Sequence, residues 1–251
     1  MLKDQTMKLE MKLKLAIMRQ ALKKRYKNNK NNNPNILLTG PARSGKSILS
    51  RRLETDLNYI PFRMDSIGGY AKAYADPEKR QQRMSSIITD LLTDFPNDLC
   101  IEGSTSLRGG NYNYMDNGSD EKFFRFIARS KDMTEQQKRD AFIMRHSEIS
   151  LDSSLKIAND TGTKLVLIGS LEEPELKAEG MMKHRAAGKC WSSKYCTDLE
   201  VYYLALDNHI CSQHLKALSI KHGLLFIDIK SSAFVNSVLS GVEKIRSLLN
   251  T

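Results

Sequence analysis

Residues Gly40 to Ser47 read GPARSGKS, a full match to the pattern G-x-x-x-x-G-K-[ST]. By average residue usage such a string arises by chance in roughly 1 in 100 chains of this size. Its spacing suits one chemistry. Glycines at both ends let the backbone of Gly40, Pro41, Ala42, Arg43, Ser44, Gly45, Lys46 and Ser47 curl so that successive N–H groups face a phosphate, and a following helix adds its positive end. Lys46 would reach β- and γ-phosphates as a mobile charge, and Ser47 would offer its hydroxyl to Mg²⁺.

Such a loop works only between a buried strand and a helix. ILLT precedes it, and SILSRRLETDL follows with Ile48, Leu49 and Leu53 at helical spacing. Other groups with chemical potential sit after later apolar runs. Asp65, in RMDSIGG, could orient or deprotonate a nucleophile; Glu102, closing LCIEG, could hold Mg²⁺ or act as the base in its place. Arg108 offers a fork for a carboxylate or phosphate, and KHRAAGK places Lys183, Arg185 and Lys189 around Gly188 as a candidate cationic cover. His184, Cys190, Cys196, His209, Cys211 and His214 lack the paired spacing of a zinc site.

The elements that must position these groups are legible as short apolar runs between longer polar, helix-like stretches. ILLTG (36–40), YIPFRM (59–64), LCIEG (99–103), KLVLIG (164–169) and LLFIDI (224–229) imply five parallel strands in a three-layer α/β/α sandwich. A helical insertion is expected at about 104–163 and a lid at about 176–197, both after strands whose ends present ligand loops. The catalytic body then spans 34–251.

Residues 1–33 form a basic tail. They hold ten Lys/Arg against Asp4 and Glu10, most of the formal net charge of +10, and leave 29 basic and 27 acidic residues in the body. Met7, Leu9, Met11, Leu13, Leu15 and Ile17 alternate like a strand, yet their types favour a helix carrying two apolar stripes on different sides. The Asn-rich run from Asn28 to Asn35 reads as a flexible joint. The four cysteines show no paired spacing and no long uncharged apolar run occurs, so reduced thiols, a cytoplasmic setting and no transmembrane segment are expected.

A guanine-specific N-K-x-D motif is absent, and the string nearest a transporter signature, Leu239 to Val242, departs at its fourth residue. With the loop GPARSGKS, Asp65, Glu102, Arg108 and KHRAAGK in that order, the chain resembles the nucleoside-monophosphate-kinase-like and shikimate-kinase-like P-loop kinases. The resemblance implies a P-loop NTPase fold and transfer of the γ-phosphate of ATP, with Mg²⁺, to a small acceptor: a nucleotide, nucleoside or hydroxylated metabolite. It also implies that Arg108 grips the acceptor and that Arg185 covers the γ-phosphate. The chain departs from the usual pattern in lacking a Walker B aspartate, which leaves the base open between Asp65 and Glu102. Two other readings belong to different classes. One is a nucleic-acid-directed enzyme such as a polynucleotide kinase using the basic tail, less favoured because KKRYK carries one aromatic and no recognised motif. The other is a nucleotide-gated regulatory protein whose tail meets a membrane or partner. Oligomeric state and nucleotide base leave no trace in the sequence.

Overall fold

The computed structural model describes residues 2–29, 31–41, 43–64, 77–103, 120–147, 149–188 and 195–250. Strands β1 (Ile36–Thr39), β2 (Ile60–Arg63), β3 (Leu99–Gly103), β4 (Lys164–Gly169) and β5 (Leu225–Asp228) form one all-parallel sheet in the order β2-β3-β1-β4-β5. Each expected run is a strand. A parallel sheet covered on both faces buries consecutive side chains, which is why β1 and β3 are buried at every position.

The helices are α1 (Leu2–Tyr26), α2 (Lys46–Leu57), α3 (Pro77–Asp94), α4 (Asp120–Arg129), α5 (Glu135–Ser147), α6 (Asp152–Thr161), α7 (Pro174–Ala186), α8 (Asp198–Lys221) and α9 (Phe234–Leu249). Strand alternation sorts the core into two layers. Ile36, Leu38, Cys100, Val166, Ile168 and Ile227 face α2 and α9 through Leu49, Leu53, Val238 and Val242. Leu37, Ile101, Leu165, Leu167 and Phe226 face the other layer, where Leu22 of α1, Ile88 and Leu91 of α3, Ile157 of α6 and Leu215 of α8 pack. A third cluster, with Phe124, Phe142, Met181 and Tyr203, joins α4, α5, α7 and α8. This architecture is the expected three-layer α/β/α sandwich.

The chain leaves β1 towards β2 and leaves β4 towards β5, in opposite directions from neighbouring strands. In open α/β sheets ligands bind at such a divergence, beyond the carboxyl ends of the two strands, here β1 and β4.

The segment before β1 is a helix, and it is docked. Leu22 is buried, Tyr26 meets Phe95 edge-on at 5.3 Å, Arg19 reaches Asp90 and Asp94, and Arg25 pairs with Glu54. The Asn-rich run differs from a free joint for a reason its composition contains. Asp98 accepts from the backbone N–H groups of Asn32 and Asn33, and the buried Asn35 amide donates to the Phe95 carbonyl and accepts from Leu99 N. Asparagine amides can satisfy backbone groups that a Gly/Ser linker leaves to water.

Candidate active site

Thr39 ends β1 in register with Gly103 of β3 and Leu167 of β4, and its hydroxyl donates to the Gly103 carbonyl at 3.1 Å. The GPARSGKS loop therefore leaves the middle of the sheet, between two strand ends. Both of its glycines are required by space. A Cβ on Gly40 would stand 2.1 Å from the Ile168 carbonyl oxygen, and one on Gly45, at φ +86°, would meet Ile229 Cγ2 at 2.9 Å. Only a residue without a side chain lets the loop lie this close to β4 and to the chain beyond β5. Gly45 caps α2 in the left-handed region, and α2 begins at Lys46.

Lys46 is buried, and its Nζ donates to the carbonyls of Gly40 at 3.0 Å and Pro41 at 2.6 Å. The ammonium is thus folded into the loop it belongs to. Ser44 Oγ is buried without a hydrogen-bond partner among the described residues. A glycine-lined curl, a cation parked on its carbonyls and an unsatisfied hydroxyl fit a phosphate group as ligand.

Glu102 stands beside Leu38 of β1 and is 3% exposed. It lies two residues beyond Cys100, so it points to the face that α2 covers. Arg63, its register partner on β2, brings Nε to 2.8 Å from Glu102 Oε1, an ion pair, while neither carboxylate oxygen accepts a geometrically good hydrogen bond from a described residue. A buried carboxylate with spare acceptor capacity near the loop suits the shell of a divalent cation or a hydroxyl proton.

On the other side of β1 the loops after β4 and β5 are stitched together. Asp228 accepts from Leu171 N at 2.8 Å, Ile229 N donates to the Gly169 carbonyl, and Glu172 accepts from the backbone N–H groups of Ser231 and Ser232. Burial pushes the Glu172 pKa up, but the Ser232 and Ser231 donors outweigh it and hold the carboxyl below its ordinary value. Lys177, on α7, is 2% exposed; burial pulls its amine down to about 8 against the opposing charges of Glu172 and Asp228, and Arg43 of the loop pulls the same way as burial.

Of the residues singled out in the sequence, Gly40, Pro41, Arg43, Ser44, Gly45, Lys46 and Ser47 form the loop, with Glu102 one strand away. Arg185 is held elsewhere: its guanidinium donates to the Cys196 carbonyl at 2.7 Å and pairs with Asp198 at the start of α8. Lys183 pairs with Glu179 along α7. Ala42, Asp65, Arg108 and Lys189 lie outside the described residues. Sequence reasoning missed Arg63, Glu172, Lys177 and Asp228. The apolar runs could have flagged Arg63, since aligning YIPFRM beside LCIEG sets it next to Glu102. Among the described residues no group of three or more His, Cys, Asp or Glu side chains is placed to hold a metal ion, and no helix is long and apolar enough to cross a membrane.

No protein-family model matches the chain, and no curated protein matches it. Solved structures similar to it include the Bacillus subtilis YorR protein in complex with phosphorylated GDP, at 12% identity and a TM-score of 0.44 over 85% of this chain and 96% of that one. Deoxyadenosine kinase from M. mycoides with bound dATP aligns at 12% identity and a TM-score of 0.38, over 86% of this chain and 100% of its own. Shikimate kinase from Acinetobacter baumannii, in complex with shikimate, aligns at 12% identity and 0.28, over 77% and 95%.

Proposed function

We propose that the chain is an ATP-dependent phosphotransferase that moves the γ-phosphate of ATP to a small hydroxyl- or phosphate-bearing acceptor. The observation that carries this reading is the loop itself: a glycine-bounded curl at the end of the central strand, with Lys46 folded onto it and a buried carboxylate, Glu102, on the neighbouring strand. Phosphoryl transfer asks mainly for positioning and charge neutralisation, and these groups supply both.

In this reading the loop N–H groups and α2 hold the β-phosphate, and Lys46 swings from the Gly40 and Pro41 carbonyls to the β- and γ-phosphates. Ser47 and Glu102 would hold Mg²⁺, with Asp65 as a further ligand, and the bound ion would supply positive charge to offset the negative charge developing on the phosphates. Glu102 or Asp65 takes the proton of the acceptor hydroxyl, Arg108 grips the acceptor, and Arg185 covers the transferring group after releasing Asp198.

The test is ADP release from ATP and Mg²⁺ across a panel of nucleoside monophosphates, nucleosides, hydroxylated metabolites and 5′-hydroxyl oligonucleotides, beside a Lys46→Ala control. Acceptor-stimulated ADP that disappears in the control supports the reading and names the acceptor class. ATP binding with no stimulated turnover sinks it in favour of a nucleotide-gated regulator.

A further inference from the structure

Helix α1 is apolar on two opposite sides, and the body uses only one. Leu15, Met18, Leu22 and Tyr26 pack against the core layer. Leu9, Leu13 and Ile17 are 68%, 62% and 58% exposed, values that mark them as large apolar side chains left in water at consecutive turns. Each lies nine residues before an inner one: Leu9 before Met18, Leu13 before Leu22, Ile17 before Tyr26. Nine residues are two and a half turns, so the outer stripe faces directly away from the body.

We propose that this outer stripe docks the protein, in the plane of the interface, on an anionic lipid surface. The charge of the segment selects the occupant. Residues 1–33 hold ten Lys/Arg against two acidic residues, and Lys12, Lys23, Lys24 and Lys27 are exposed. Arg19 and Arg25 are engaged with Asp90, Asp94 and Glu54, so the body anchors the helix by its arginines and leaves these lysines outward. A second copy of the same helix would bring like charges together. Nucleic acid would meet the lysines but gain nothing from three exposed aliphatic side chains. An anionic bilayer satisfies both, with leucines at the acyl boundary and lysine heads among the headgroups.

The experiment is co-sedimentation of the full chain with phosphatidylcholine vesicles, with and without phosphatidylserine, beside the triple variant Leu9→Gln, Leu13→Gln, Ile17→Gln. Those positions are exposed and glutamine keeps the helix, so the variant should unfold at the same temperature as the parent. Expected is binding that needs phosphatidylserine, weakens with added salt and falls at least about tenfold in the variant. Three outcomes overturn the proposal: the parent stays in solution with both vesicles, parent and variant bind alike, or sedimentation velocity without lipid shows a self-association that the variant loses. The last would assign the stripe to a second copy.

Discussion

Arg63, the last residue of β2, and Glu102, the fourth of β3, stand in register on neighbouring parallel strands, with Arg63 Nε 2.8 Å from Glu102 Oε1. The pair is asymmetric. Glu102 is almost wholly buried, whereas the Arg63 side chain is 43% exposed, so the arginine brings a solvated charge to a carboxylate that has left water. It brings its charge to one oxygen, and neither carboxylate oxygen accepts a geometrically good hydrogen bond from a described residue.

Removing either partner should separate stability from catalysis. Arg63→Gln leaves a buried carboxylate without its counter-charge and should cost about 1–2 kcal/mol in urea unfolding, less than a fully buried pair because Arg63 is partly solvated. The double variant Arg63→Gln, Glu102→Gln should be more stable than that single variant. Glu102→Gln alone should keep the fold and lower kcat by roughly 10²-fold or more if Glu102 is the base or the metal ligand. Full kcat in Glu102→Gln would hand the role to Asp65.

The strands were legible because a parallel sheet buried on both faces writes each strand as a continuous apolar run, and β1 to β5 fall within those runs. The loop was legible because its pattern lies within eight consecutive residues, Gly40 to Ser47, and needs no contact from elsewhere in the chain to be read. What escaped depends on contacts made across long stretches of sequence. Glu172 meets Ser231 and Ser232 almost 60 residues later, and the pairing of Arg63 with Glu102 exists only once β2 lies beside β3. In α1 the alternating pattern looked like a strand, but residue type prevailed, and the two stripes anticipated on a helix became an inner and an outer face. The Asn run misled because its groups find partners far along the chain: the Asn32 and Asn33 backbone N–H groups donate to Asp98, and the Asn35 amide donates to the Phe95 carbonyl.

The two loop glycines should fail for reasons different from those of a remote glycine. Gly162→Ala, with nothing within 4 Å but φ +65°, should cost about 1 kcal/mol of backbone strain and leave ATP binding intact. Gly40→Ala meets the Ile168 carbonyl at 2.1 Å, a backbone atom that cannot rotate away, so the loop must move. Its ATP affinity by calorimetry should fall at least about tenfold. Equal affinities in the two variants would show that the loop is not the nucleotide site.

Helix α1 should behave as part of the fold on one side only. Leu22→Ala opens a void between α1 and the β2 edge of the sheet and should cost about 2–3 kcal/mol. Leu13→Ala, on the outer face, should change unfolding by less than about 0.5 kcal/mol. Equal, negligible costs would mean that α1 undocks in solution.

His146 and Asp207 form a buried pair, Nε2 to Oδ1 at 2.7 Å, with Arg145 Nη1 3.7 Å from the same oxygen and Cys211 and His214 also facing the imidazole. Burial works against the imidazolium, but the charge and hydrogen bond of Asp207 prevail and hold its pKa up at about 10. The folded state therefore binds this proton more tightly than the unfolded chain, where histidine titrates near 6.5. Stability from the pair is complete below about pH 6.5 and drains away as pH rises towards 10, at no more than about 1.4 kcal/mol per pH unit for one proton. Urea unfolding of the parent and of His146→Gln should show a gap that is wide near pH 6 and narrows by pH 9. In Asp207→Asn the imidazolium loses its partner, so the corresponding fall of stability with pH should vanish. A gap between parent and His146→Gln that stays constant across this range would show that the imidazole is neutral in the fold and that packing alone makes it matter.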